Sequence, residues 1–484
     1  MTALKKLFQH TFIYGLATVL PRMLSFLLVP LYTAVLPTSE YGEISIIFSW
    51  IILFNVILAY GMETAFFRFF TKEEDKNTVV STATISLIFT SLLFLVAAFT
   101  FRNGLSTLSG IPVEYITFTI FVLTLDALVI IPFAWLRANE QPVRYAIIKI
   151  FNVAVNLGLN VFFLVALPRL ASDGFWGKLY LEDYQISYIF LSMVVASAIT
   201  FILLLPFYFK TIYKFSKPLW KEMMRYAVPV LIAGIAFAVN EAFDRILLGW
   251  LLPADIADEA VGAYAACYKL AIFMTLFATA FRLGIEPFFF SQAKEKNAPE
   301  TYALITRYFI AFGSIILITV VVFADVLKII LIRDSDYWEA MQIVPLILLA
   351  NFCLGIYHNL SVWYKVTDRT KFGAYISIVG AIITLAVNFI LIPTMSFMGS
   401  AIATVAAYGT MMLLSFYYGQ KYFPIPYAIK KISLYFFGSI VLSGVCFYIF
   451  RNTYEFTIPL WIAFLTLVLI QEKQAVQQLL RIKK

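Results

Sequence analysis

Nine charged residues stand inside stretches of sequence otherwise made of apolar side chains: Arg22, Arg245, Lys269 and Arg282, with Glu63, Asp126, Glu241, Asp244 and Glu286. In a bilayer interior each such charge costs about 2.5–3.5 kcal/mol on insertion scales, so it needs a partner, a water-filled cavity or a ligand. Spacing separates them. Glu241 and Arg245 lie at i, i+4 on one helix face, as do Arg282 and Glu286, and each pair can neutralise itself. Arg22 and Lys269 have no acid three or four residues away. At 1.5 Å per residue, Arg22 sits about 20 Å from the outer end of its segment and Lys269 about 12 Å, too deep to snorkel outward. Two cations at mid-depth suit an anionic group such as a diphosphate, with Arg245 and Arg282 contributing if their acids do not hold them. The competing reading is that Glu63 or Asp126 neutralises these cations.

Asp126 and Glu63 are also candidates for proton or cation coupling, since buried carboxylates can titrate near neutrality. Asn152, Asn156 and Asn160 recur every four residues as a polar stripe, with Asn388 as a later counterpart of Asn160. Asn156, Asn160 and Asn388 are expected to line a cavity, although such residues more often bond across helices. His358, alone in an apolar stretch, reads as packed. Little supports catalysis. No G-x-x-x-x-G-K-[ST] run is present, which argues against ATP hydrolysis in this chain, and Asp334-Ser335-Asp336 reads D-x-D but falls in a short loop expected on the outer side. Cys267, Cys353 and Cys446 lie far apart without metal-ligand spacing, so neither disulfide nor metal site is expected.

The elements that carry these residues follow from composition. Of 484 residues, 62% are hydrophobic and 13% charged, and mean hydropathy is +0.88. A soluble chain is about half apolar and a quarter charged, which excludes a soluble enzyme. Apolar windows predict fourteen spans, near 10–36, 42–66, 78–100, 114–137, 144–168, 184–209, 222–252, 261–290, 302–324, 339–364, 372–392, 397–420, 428–450 and 456–472. Runs of that length can only be helices, so the fold class is all-α, a polytopic membrane protein. Lys5 and Lys6 precede an apolar run that no small-x-small cleavage site follows, so the first span is expected to be retained. Of 36 Lys and Arg, only Arg102, Arg169, Lys178, Lys328, Arg333 and Arg451 fall in odd-numbered connections, while most occupy even-numbered connections and the ends. That places both termini in the cytoplasm and makes the net charge of +8 a topology signal rather than a sign of nucleic-acid binding.

Internal repeats give the architecture. Gly42 and Phe69-Phe70 recur as Gly262 and Phe289-Phe290, a shift of 220, while Trp135-x-Arg137 and Asn160 recur as Trp363-x-Lys365 and Asn388, a shift of 228. Each repeat has six spans, an even number, so the halves share an orientation. The expected organisation is an N-terminal lobe over 1–213 and a C-terminal lobe over 214–420 around a central cavity, with spans 13 and 14 and a cytoplasmic tail over 421–484. Pro21, Pro30, Pro132, Pro229, Pro287 and Pro345 should bend spans.

Asp244-Arg245-Ile246-Leu247-Leu248-Gly249 with Val261-Gly262-x-Tyr264, Ala65-Phe66-Phe67-Arg68-Phe69-Phe70, and Val155-Asn156 with Asn160 resemble polysaccharide flippases of the Wzx type. These belong to the multidrug/oligosaccharidyl-lipid/polysaccharide exporter superfamily, and the likeness covers nearly the whole chain. The resemblance implies movement of undecaprenyl-diphosphate-linked oligosaccharide, such as an O-antigen precursor, across the bacterial inner membrane by alternating access. It implies a polyprenyl-diphosphate glycan lipid as substrate, polysaccharide polymerase and assembly proteins as partners, and no cofactor beyond a coupling H+ or Na+. A duplicated chain encloses its own cavity, so a monomer is expected. The competing functions are a cation-coupled drug or metabolite exporter, a lipid II flippase, and a non-transporting scaffold.

Overall fold

The computed structural model describes residues 20, 23, 26–171, 174–292, 295 and 297–472, with residues 287 and 290–292 described in backbone only. All regular structure among them is helical. Helix α1, Leu28–Val35, is the described end of the first expected span; Pro21 and Arg22 fall outside the described residues. Thirteen further helices are long and apolar enough to cross a membrane. They are α2 (Thr38–Lys72), α3 (Lys76–Thr100), α4 (Val113–Ala138), α5 (Pro142–Leu170), α6 (Gln185–Lys210), α7 (Lys217–Leu251) and α8 (Ala257–Glu286). After them come α9 (Ala298–Val322), α10 (Ser335–Val366), α11 (Lys371–Met395), α12 (Phe397–Tyr422), α13 (Ile429–Ile449) and α14 (Tyr454–Gln471).

Local chemistry sets where helices begin. The Asp75 carboxylate accepts the Thr78 backbone N–H at 3.1 Å and its hydroxyl at 2.5 Å, capping α3. Those bonds hold Asp75 below the usual carboxylate range. Pro142, Pro218 and Pro299 open α5, α7 and α9, where a missing N–H costs nothing. D-x-D plays the same part: the Asp334 side chain accepts the Asp336 backbone N–H at 3.0 Å at the start of α10.

Several spans are interrupted. In α2 the chain turns left-handed at Tyr60 (φ 32°) and Gly61 (φ 72°); a Cβ at Gly61 would lie 2.5 Å from the Ala227 carbonyl oxygen, so only glycine fits. In α4 the break falls at Val129, three residues before Pro132. Pro132 cannot donate to the Leu128 carbonyl, and the Tyr208 hydroxyl of α6 donates to that carbonyl instead. A 3-10 turn, Lys269–Ala271, interrupts α8.

Two compact units divide the chain, Met1–Gly262 and Ala263–Lys484. That division falls within α8: α7 packs on α2 and groups with the first unit. Within that unit α2 and α8 approach backbone to backbone. A Cβ on Gly42 would lie 1.9 Å from the Asp258 carbonyl oxygen, and a Cβ on Gly262 1.9 Å from that of Thr38. The two clashes mirror each other under the 220-residue repeat. The first unit's apolar core gathers Tyr60, Phe66, Phe69, Val79, Ala134 and Met223. In the second unit, α10 and α11 pack on α12, and Phe289, the counterpart of Phe69, packs with Tyr302 and Val362. Cys267, Cys353 and Cys446 are all buried as free thiols, the first donating to the Tyr337 carbonyl at 3.2 Å.

Candidate functional site

The first unit holds a cavity of about 380 Å3 among α2, α4, α5 and α6. Asp126 lines it from α4, accepting the Ser197 hydroxyl at 2.8 Å. Lys149 lines it from α5, its ammonium over the Phe133 ring at 4.3 Å. Asn152 donates to the Thr200 hydroxyl at 2.8 Å, and Asn156 and Asn55 complete the polar wall. Sequence spacing pointed to Asp126 and the asparagines but assigned Lys149 to a connection. The helix begins at Pro142, which carries Lys149 two turns into the span.

Asn160 and Asn388 do something different from lining a cavity. Both are fully buried. Asn160 accepts the Tyr32 hydroxyl at 2.9 Å and donates to the Asn156 carbonyl at 2.8 Å. Asn388 accepts the Ser400 hydroxyl at 2.6 Å and donates to the Thr384 carbonyl at 2.7 Å. These repeat-related amides join helices.

Charge pairing departs from the i, i+4 expectation. Arg245 Nη1 reaches the Asp244 carboxylate at 3.3 Å and only the backbone carbonyl of Glu241, also at 3.3 Å, while the Glu241 side chain is exposed. The shorter aspartate folds back to accept the Arg245 backbone N–H as well, at 2.8 Å, and so holds the buried guanidinium. Glu286 pairs with Lys365 of α10 at 2.6 Å. Glu63 pairs with Arg137 of α4 at 2.7 Å rather than with a mid-membrane cation. These last two bridges correspond in the repeats: Arg137 and Lys365 share the 228 shift, and the two acids differ by one turn from the 220 shift. Each fastens the second span of its repeat to the fourth.

Beside the second bridge, Arg282, Glu286, His358, Asn359, Ser361 and Lys365 line a cleft with room, as it stands, for about one water molecule, ≈ 10 Å3. His358 therefore faces cationic neighbours, which its isolation in sequence did not reveal. Lys269 is half-buried at the 3-10 turn of α8 and, like Arg282, is already engaged with neighbouring groups. Arg22, its expected companion, lies outside the described residues.

The chain matches the family model for polysaccharide biosynthesis proteins over residues 7–277. It belongs to that family. A second model, MatE, matches residues 229–390 of this family member. No curated protein matches the sequence significantly. Among solved structures, the lipid II flippase MurJ in an inward closed conformation is similar at a TM-score of 0.75 and 14% identity, covering 96% of this chain and 100% of that one. A multidrug resistance MATE family transporter of the MOP superfamily, inward-facing, gives a TM-score of 0.66 at 10% identity, covering 85% and 94%. A MATE transporter in complex with MaD3S gives 0.60 at 10% identity, covering 86% and 95%. The polysaccharide biosynthesis family member is thus a multi-pass membrane protein with the fold of the MOP-superfamily transporters, as its sequence pattern led one to expect.

Proposed function

We propose that this protein is a flippase that moves a polyprenyl-diphosphate-linked oligosaccharide from the cytoplasmic to the outer leaflet of the bacterial inner membrane by alternating access. The family match over residues 7–277 carries the reading, and the whole-chain likeness to a lipid II flippase agrees with it. In this reading Arg22, Lys269 and Arg282 meet the diphosphate, while Arg245 is already committed to Asp244. Arg282, in one cleft with the Lys365–Glu286 pair and His358, gives that cleft a net positive charge, which supports an anionic headgroup on the second unit. Both termini are cytoplasmic, the working unit is a monomer, and polymerase and assembly proteins take over the delivered lipid.

The test is twofold. Native mass spectrometry of the gently purified protein should show an adduct with the mass of a polyprenyl diphosphate glycan, lost in Arg22→Ala/Lys269→Ala. In proteoliposomes each single variant should slow translocation at least about tenfold, an effect of about 1.4 kcal/mol, without loss of membrane insertion. Wild-type rates in both variants would remove the site assignment. A second reading, a cation-coupled exporter, draws on the MatE match and on Asp126 in its polar cavity. It predicts that Asp126→Asn abolishes efflux of a cationic dye, and no such efflux by the wild type would dismiss it.

A further inference from the structure

The cavity of the first unit holds polar groups that charge pairing does not use and that bonds between helices use only in part. Asp126 and Lys149 both line it, yet the ammonium lies over the Phe133 ring at 4.3 Å and makes no ion pair among the described residues. The hydrogen bonds within the wall leave much polar capacity unspent. Asn152 uses one N–H toward Thr200, and Asp126 accepts one hydroxyl proton, from Ser197. The second carboxylate oxygen, the Asn152 carbonyl and the Asn55 amide have no side-chain partner among the described residues, and Asn156, whose side-chain carbonyl accepts from Asn160 at 3.0 Å, keeps its N–H donors for the cavity. Unspent donors and acceptors in a membrane interior are costly unless something meets them.

The shape of that demand identifies the class of occupant. One carboxylate and one ammonium sum to no net charge, so the site favours a neutral ligand over an anion or a cation. Amide groups, each both donor and acceptor, suit a molecule whose edge alternates between the two, as hydroxyls and acetamido groups do. Val122, Val129, Ile130 and Met193 add an apolar side to the wall, against which the flat side of a ring can rest. The volume, about 380 Å3, falls at the lower end of the range of about 300–1,000 Å3 typical of small-molecule sites and far exceeds the needs of one ion.

We infer that this cavity is a subsite for one neutral sugar ring of the transported glycan, with Asp126 accepting from and Lys149 donating to its hydroxyl or acetamido groups. The inference rests on the flippase reading and names a part of the substrate that the diphosphate cations do not touch.

The experiment measures binding of the full-length protein in nanodiscs to bare polyprenyl diphosphate and to a panel of the same lipid bearing one neutral hexose or N-acetylhexosamine. At least one glycosylated lipid should bind about tenfold more tightly than the bare one, the worth of one or two net hydrogen bonds. Lys149→Met, Asn156→Leu and the cavity-filling Ala196→Leu should each erase that preference while leaving bare-lipid affinity unchanged. With three variants on two helices, a folding failure in one leaves the others to decide, and thermal melting identifies it. If no sugar improves binding, or if all folded variants keep the preference, the subsite is overturned although the flippase reading stands. Binding of neither lipid class by the wild type would overturn both. Variants that bind every lipid normally but lose transport would make the cavity an ion-coupling site instead.

Discussion

At the scale of single residues, depth and exposure decide what a polar side chain contributes. The Glu63–Arg137 bridge is short, at 2.7 Å, yet both side chains are 42% exposed. A pair so placed is worth about 0–1 kcal/mol. Asn388 makes no ionic contact, but it is fully buried and holds the Ser400 hydroxyl at 2.6 Å. Replacing Asn388 or Asn160 with leucine should therefore cost about 1–2 kcal/mol each, the upper end for interhelical hydrogen bonds, and more than Glu63→Gln. Thermal unfolding in detergent ranks the three, and a larger loss from Glu63→Gln would refute the argument from burial. Sequence marked both asparagines through the repeat but could not name Tyr32 and Ser400, because those partners come from other elements. The same limit explains the ion pairs. Spacing along one helix finds Arg282 with Glu286, whereas Lys365 arrives from α10 and takes the carboxylate.

Elements are fixed where side chains are absent and where charges meet at their ends. At Gly42 and Gly262 the helices touch through backbone, so Gly42→Ala and Gly262→Ala should each destabilise by about 1–3 kcal/mol or more. Because both substitutions force the same two helices apart, the double variant should cost less than the sum of the singles; full additivity in melting experiments would mean independent contacts. The repeat made these glycines visible in sequence, but the reason for them is a contact that only the fold shows. A different tie closes the C-terminal helices onto their unit. Arg451, before α14, donates two bonds of 2.9 Å to Asp325, which also pairs with Lys328 at 2.6 Å. Burial raises the Asp325 carboxyl, and the bonds and charges of Arg451 and Lys328 outweigh it, leaving it below the usual aspartate value. A carboxyl depressed on folding contributes stability that is fully present above its unfolded value, about 3.9, and fades as pH falls through the lower folded value. The melting temperature of wild type should exceed that of Asp325→Asn at pH 6–7, by an amount equivalent to about 1–3 kcal/mol, and the gap should close below about pH 3. A gap that persists in acid would locate the effect in packing. Glu472 pairing Arg307 at 3.0 Å and Trp461 donating to Thr319 at 2.9 Å fasten α14 to α9, and α13 packs on α9 and donates to Glu472 through the Tyr435 hydroxyl at 2.8 Å. Read from sequence they were only an addition after the second repeat.

For the whole molecule, hydropathy and the repeats carried the fold class, because apolar length and an even span count are properties of composition and order. Where the chain divides into units was less legible: α7 begins the second repeat yet packs with α2, and packing partners are not written in hydropathy. The candidate site was legible in part. Asp126 and the asparagines announced a polar stripe, while Lys149, near the start of the expected span 144–168, was counted with the cationic connection before it. One feature of the interior also makes the protein convenient to instrument. Cys267, Cys353 and Cys446 are 0%, 3% and 3% exposed. A maleimide dye reaches only accessible thiolate, so the folded protein should take up almost no label until denatured. Rapid labelling of any native thiol would contradict that burial. If uptake is low, two spectroscopic tags can be introduced at exposed positions on the natural background, without first stripping its cysteines, and their separation followed as lipid is added.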